Sequence, residues 1–434
     1  MANKVTLEKI VALCKRKGFA YQSSDIYGGI NGVYDFGPMG YYLRQNLSNL
    51  WMNDMTKGQQ DVVPIDGSIL GPEIVWKASG HVEGFHDPMV DCTNCKKRYR
   101  ADEINLEKSC PSCGKKAWTQ IRQFQMMFKT NLGAMEGSSA TAYLRPETAQ
   151  SIYINFKNVT SSTRVKIPFG IAQVGKAFRN EITPKQFLFR MREFEQMEMQ
   201  FFCKPEDADT LFKSWLEKRR TFHKKIGLKQ EKCRTHPHGP DELAHYAKEA
   251  IDIEYEFPFG WKELEGVHNR SNFDLSQHSK FSGKDLSIFD DETKKSYIPY
   301  IVECSVGLDR LFLAVICDAY SEEEVEGSTR VVLKFDPKVA PIKAAFLPLS
   351  KKLSEPTRAI YENIKKLGYN VQFDSTGSIG KLYRRQDEIG TPACFTYDFD
   401  SEKDQSVTVR DRDSLKQERI AIDQIEQYLK NILK

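Results

Sequence analysis

The sequence predicts an α+β protein with a zinc-ribbon-like insertion and a C-terminal α/β module. Three observations predict it. Cys92-x-x-Cys95 and Cys110-x-x-Cys113 have the spacing of a zinc ribbon. Two strand patterns across 164–204 flank a basic loop. Beyond a linker marked by Ser321-Glu322-Glu323-Glu324, Pro337 and Pro341, short strands alternate with helices to the last residue.

The 434 residues exceed one small core, so two or three domains are expected. Hydrophobic residues make up 40% and charged residues 28%, the composition of a soluble globular chain. The longest strictly apolar run, 311–317, is far short of a membrane span. Met1-Ala2-Asn3-Lys4-Val5 leads straight into an amphipathic pattern without a signal-peptide core, so a soluble, cytoplasmic protein is expected. A net charge of +4 neither requires nor excludes a nucleic-acid partner. The six cysteines outside the two pairs are scattered and read as reduced core thiols.

In chain order, a first helix is expected over 6–17, stopped by Gly18. A second opens at Gly37-Pro38, keeps Leu43, Leu47, Leu50, Trp51 and Met55 at helical spacing, and ends by Gly58. A strand over 61–65 follows. This helix and strand fit a dimer-forming unit and equally an ordinary surface helix on its own core. A helix is expected around 206–226, strands over 251–257 and 297–304, and a buried helix over 307–319. The terminal module reads as strand 342–349, helix 355–367 ending at Gly368, and strand 371–374. His236, His238 and His245 fit a loop and a helix face better than a metal.

Four thiolates would leave a metal no open position, so zinc at Cys92, Cys95, Cys110 and Cys113 is expected to be structural. The basic run Lys96-Lys97-Arg98-Tyr99-Arg100 between the pairs fits contact with phosphate or carboxylate, or a solvated turn. The two-strand stretch says more. Gln173, Gly175, Ala177, Arg179 and Glu181 share one face, with small residues in the middle as if a ligand lay there. On the returning strand Phe194, Gln196, Glu198 and Gln200 share a face. The loop between carries Lys185, Arg190 and Arg192, suited to phosphates, with a ring to stack on a base. Neither a P-loop nor a Rossmann glycine pattern is present. By spacing alone, a nucleotide platform and a merely polar sheet edge stand equal.

Phe178-Arg179-Asn180-Glu181 and Arg192-Glu193-Phe194 resemble motif 2 of class II aminoacyl-tRNA synthetases. Gly307-Leu308-Asp309-Arg310 resembles motif 3, and the helix and strand from Pro38 to Pro64 resemble the dimer-forming motif 1. Tyr143-Leu144-Arg145-Pro146-Glu147-Thr148-Ala149-Gln150, Arg192-Glu193-Phe194-Glu195-Gln196-Met197-Glu198, Ser79-Gly80-His81 and Thr408-Val409-Arg410-Asp411-Arg412 are similar to the dimeric glycyl-tRNA synthetase family, almost end to end.

The resemblance implies an antiparallel sheet flanked by helices in a catalytic domain over 1–338. That domain would include the cysteine module at 88–118 and a helical insertion around 205–250, with an anticodon-binding domain over 339–434. It implies a homodimer that joins glycine to tRNA(Gly) with ATP and Mg2+. Arg179, Glu181 and Arg310 would be catalytic. Asn180, Phe189, Arg190 and Arg192 would also meet ATP, with Glu263, Leu264 and Gly307, and Phe194 would stack on adenine. Arg100, Glu147, Gln196, Glu198, Arg270, Glu303 and Ser305 would surround glycine. Ser151 and Cys304 depart from the family pattern without removing a catalytic group. Proline as the amino acid, or a binding protein that kept the fold and lost catalysis, are the competing readings. The second should lack the motif arginines, which are present.

Overall fold

The computed structural model describes residues 5–58, 61–133, 141–244, 246–325 and 327–434; His245 and residues 1–4 lie outside them. Leu7–Lys17 is helical as expected, capped by the Thr6 side chain and ended by left-handed Gly18. Pro38–Thr56 follows with proline in its first turn and Leu43, Leu47, Trp51 and Met55 buried.

Among the described residues the main sheet has seven strands. Their order is Cys233–Pro237, Glu249–Phe257, Gly260–Ser271, Tyr300–Gly307, Glu193–Cys203, Phe169–Phe178 and Val62–Pro64. All neighbours are antiparallel except the last pair. Strand alternation gives the faces different work. Met197, Met199, Phe201, Val302 and Cys304 enter the larger core, beneath the helices Pro38–Thr56, Ala208–Lys225 and Leu308–Ala319. The opposite face carries a smaller core of Ile171, Phe202 and Ile301 at one end, under the helices Ala149–Ile154 and Phe156–Thr163. Beyond that core, the same face turns polar and holds the site.

Several expectations need correction. The strand expected over 297–304 spans Tyr300–Gly307, and Ile298, outside it, packs with the smaller core. The acidic linker is a hairpin, Tyr320–Val325 with Ser328–Leu333. Its acids are paired: Glu322 with Lys9, and Glu323 with Arg330 and Lys334. The 205–250 segment contains one helix packed on the sheet and the sheet's edge strand, which carries His236. The long strand Gly260–Ser271 gave no alternating apolar signal. Its buried positions include Glu265, Asn269 and Arg270, each satisfied by a tertiary partner.

The cysteine pairs lie beside a three-stranded sheet, Arg98–Arg100, His86–Asp91 and Arg122–Gln125. The C-terminal module is a five-stranded mixed sheet with the helices Ser354–Lys366, Ile379–Ile389 and Ile425–Ile432. Arg410 and Arg412 do not face outward. Arg410 binds Asp387 at 3.0 Å, and Arg412 donates to the Phe335 carbonyl at 2.7 Å, tying the module to the chain that leads into it.

Candidate active site

Two cavities meet at Arg179. A cleft of about 620 Å³ is lined by Arg179, Phe194, Glu263, Ser305, Gly307 and Arg310, with Glu181, Phe189, Arg190 and Gln196 completing its wall. Behind it a second cavity of about 720 Å³ takes in His81, Glu147, Tyr246 and Arg270. Arg179 is pinned by its Nε on the Pro146 carbonyl at 3.0 Å, and its guanidinium lies 5.3 Å from the Phe194 ring centre. Arg310 stands 4.4 Å over the Phe189 ring and pairs with Glu263 at 2.9 Å. Phe194 offers the cleft a ring face suited to a planar base, and Arg179, Arg190 and Arg310 line it with positive charge suited to phosphates.

Three residues expected at ATP do not line the cleft. Leu264 is buried in the larger core. Arg192 donates to the Glu181 and Asn31 carbonyls at 2.9 Å, and the Asn180 amide donates to the Met126 carbonyl at 2.7 Å. These hold the loop in place from behind. The loop also leans on the cysteine module, since Glu103 pairs with Lys185 at 3.1 Å and Arg190 at 3.6 Å.

Glu147 lines the second cavity, and the buried carboxylates Glu198 and Glu303 lie close to it. Glu147 receives Gln150 at 2.8 Å and faces His81 at 3.3 Å; despite burial, His81 and Arg270 hold its carboxyl far below the usual range. Glu303 is 3% exposed and accepts from Gln200, His268 and Arg270; against its burial, these bring it down to about 2. Glu198, bonded to the Thr148 hydroxyl, is pushed up to about 8 by burial and by the charges of Glu303 and Glu147. A carboxylate cluster of this kind suits an ammonium. Arg270 is not a free fork for a carboxylate: it grips Asp274 with two bonds of 2.8 Å and Glu303 with a third at 3.0 Å, beneath Tyr246. Arg100 is likewise paired, with Asp87 and Asp102. Gln196 receives the Thr148 amide at 3.2 Å, and Ser305 lies opposite Glu198 in the sheet.

The space beside Gly175 on the outgoing strand is taken by the chain itself. A Cβ on Gly175 would stand 2.1 Å from Arg145 Nη2, and Gln173 is fully buried against Thr148 and Ser151. They accommodate the chain's own 145–151 segment, which presents Glu147. His81, Thr148 and Tyr246 were not assigned from the sequence. His81 belonged to a quoted motif, but nothing local marked Tyr246.

The four cysteine Sγ atoms lie within 4.8 Å of one another, with Cys92–Cys113 at 3.6 Å and Cys95–Cys110 at 3.7 Å. Tetrahedral zinc with Zn–S bonds of about 2.3 Å places sulfurs about 3.8 Å apart, so the set fits that ion. The two turns match: the Lys96 amide bonds the Cys92 carbonyl and the Gly114 amide the Cys110 carbonyl.

Comparison with known proteins agrees with this geometry. The family described as "tRNA synthetase class II core domain (G, H, P, S and T)" matches residues 128–320, and the "Anticodon binding domain" family matches 343–432. Fold and site therefore define a class II aminoacyl-tRNA synthetase core followed by an anticodon-binding domain. A protein of Treponema denticola named glycine–tRNA ligase is 54% identical over 430 residues, covering 96% of this chain and 95% of its own. Those of Caldanaerobacter subterraneus subsp. tengcongensis and Borrelia hermsii, with the same name, are 49% and 52% identical over 100% and 98% of this chain, and 100% and 97% of theirs. The chain belongs to the glycine–tRNA ligase family.

Proposed function

We propose that this chain activates glycine with ATP and transfers it to the 3′ end of tRNA(Gly). The observation that carries the reading is the carboxylate cluster of Glu147, Glu198 and Glu303, with Glu147 in a cavity that meets the nucleotide cleft at Arg179. Glycine has only an ammonium and a carboxylate to recognise. The ammonium sits among the three glutamates, and its carboxylate points out toward Arg179.

From there one carboxylate oxygen attacks the α-phosphorus of ATP. The bond from the α-phosphorus to the bridging oxygen breaks, and pyrophosphate leaves. Arg179 stabilises the charge on the α-phosphate, Arg310 and Arg190 hold the outer phosphates, and Phe194 stacks on adenine. In the second step the terminal tRNA hydroxyl attacks the glycyl carbonyl and AMP departs. No side chain acts as a nucleophile; positioning and charge stabilisation carry the rate. Magnesium, when bound, neutralises phosphate charge. Glu263, in the cleft wall with a half-exposed carboxylate, is the acid placed to hold it, whereas Glu303 is occupied by three donors.

The catalytic domain spans 1–338 and the anticodon-binding domain 339–434. Structural zinc sits at Cys92, Cys95, Cys110 and Cys113, supported by the sulfur spacing. A homodimer formed through Pro38–Thr56, acting in the cytoplasm, completes the reading; no helix among the described residues is long and apolar enough to cross a membrane. Glycine-dependent ATP–pyrophosphate exchange tests it, with alanine, serine and proline as comparators. Exchange with glycine alone is expected. Exchange with another amino acid overturns the specificity, and none overturns the enzyme reading.

A further inference from the structure

One of the three donors to Glu303, His268, also faces the sheet's edge. His268 Nδ1 is 2.8 Å from Glu303 Oε2. Its Nε2 is 4.0 Å from Asp252 Oδ1, an ion-pair distance too long for a hydrogen bond. Asp252 in turn meets His238 Nε2 at 2.9 Å, and the His238 ring lies 6.1 Å from His268 and 6.0 Å from His236. The groups form a file from Glu303 to the sheet's edge strand.

The seat for this ring is built into the sheet. Gly266 lies opposite Asp252 on one neighbouring strand and Ser305 on the other. A Cβ at 266 would stand 2.8 Å from His268 Nε2, so the ring occupies space that any other residue would fill. The groups facing the imidazole are Glu303 from Tyr300–Gly307, Asp252 from Glu249–Phe257, Arg270 on its own strand and His238 beyond the edge strand. The two acids dominate: against burial, Asp252 and Glu303 together bring His268 up to about 9.

The division of labour on Glu303 gives this a purpose. Oε2 accepts from both His268 and Arg270, whereas Oε1 has one donor among the described residues, Gln200 at 2.9 Å. A carboxylate oxygen accepts two bonds, so Oε2 is saturated and Oε1 keeps a lone pair. We propose that His268 is a positioning residue for amino-acid activation: seated over Gly266 beside Asp252, it fixes Glu303 so that Oε1 meets the substrate ammonium. This rests on the reading of the cavity as the glycine site.

The test is pyrophosphate exchange by the full chain across about pH 7 to 9.5, as wild type, His268→Ala, His268→Asn and Asp252→Asn. His268→Ala is expected to raise the glycine KM about tenfold or more, the scale of one charge-assisted hydrogen bond, and to leave the ATP KM in place. His268→Asn, whose amide can donate where Nδ1 does, recovers most of that loss but no longer responds to imidazole titration. Asp252→Asn moves the alkaline rise in glycine KM to lower pH than in the wild type. The ammonium of glycine titrates identically for every variant, so the comparison isolates the protein. Glycine and ATP KM rising together, or no recovery with asparagine, would mean a merely structural histidine and overturns the proposal. If His268→Ala does not fold, the Asn and Asp252 variants decide. Wild-type exchange with an unmoved His268→Ala overturns this inference alone; a wild type without glycine-dependent exchange overturns the functional reading beneath it.

Discussion

Arg310 and Glu263 face each other across the mouth of the nucleotide cleft, Nη1 lying 2.9 Å from Oε2. The pair joins the first turn of the helix Leu308–Ala319 to the strand Gly260–Ser271. Its side chains are 26% and 49% exposed, so the contact contributes no more than about 1 kcal/mol. On the proposed function, a triphosphate entering the cleft would take Arg310 from Glu263 at little cost and free the carboxylate for a cation.

Arg310→Ala is therefore expected to lower pyrophosphate exchange by about two to three orders of magnitude, the scale for one preorganised charge-stabilising donor. Glu263→Gln leaves Arg310 available but raises the magnesium concentration needed for half-maximal exchange. Magnesium titration of both variants checks this. An unchanged magnesium requirement in Glu263→Gln would remove the glutamate from that role.

Glu198 gives the fold a pH dependence. Its carboxyl rises from 4.5 to about 8, so between those values the folded chain holds a proton that the unfolded chain has released. Stability from this group therefore falls as pH rises through that window. Glu198→Gln should reduce the drop in Tm between about pH 5 and 8.5, read by thermal melts at matched ionic strength. A drop of wild-type size in the variant would place the proton elsewhere.

Gly175 is needed for space. Arg145, whose Nη2 would lie 2.1 Å from a new Cβ, cannot retreat, because its Nε and Nη1 donate to the Lys176 and Gly67 carbonyls at 2.6 and 2.7 Å. Gly175→Ala is expected to cost about 1–3 kcal/mol by overpacking. It should also raise the glycine KM by displacing the segment that carries Glu147. Denaturant unfolding and exchange kinetics measure the two effects.

Metal analysis should find about one zinc per chain. Chelation or Cys110→Ser should make the module sensitive to protease and lower exchange, because Glu103 of that module supports Lys185 and Arg190. Full activity in zinc-free protein would separate the module from the ATP loop.

Much of the fold was legible because local rules agreed with it. Thr6 and Gly18 bound the first helix, and the strands around Val174 and Met197 pair in the register their alternation implies. The strand of Gly260–Ser271 was not legible. Its glutamates and arginine look like a surface until Arg219, His223 and Glu303 are brought to them from distant positions. The hairpin after Ala319 was hidden in the same way, its acids reading as a linker until Lys9, Arg330 and Lys334 arrive.

By itself the sequence determined the family, the cysteine set, the motif arginines and glutamates, and the C-terminal module. Such features depend on residue identity and short spacing. Only the tertiary structure decided how these groups are occupied. Arg270 and Arg100 are already paired, Gly175 makes room for Arg145, and Arg192 braces a loop. His268 reaches Glu303 across neighbouring strands. The physical reason is that charge state and availability are set by which groups come within a few ångströms in a medium of low dielectric constant, and contacts between distant parts of the chain leave no periodic trace in it.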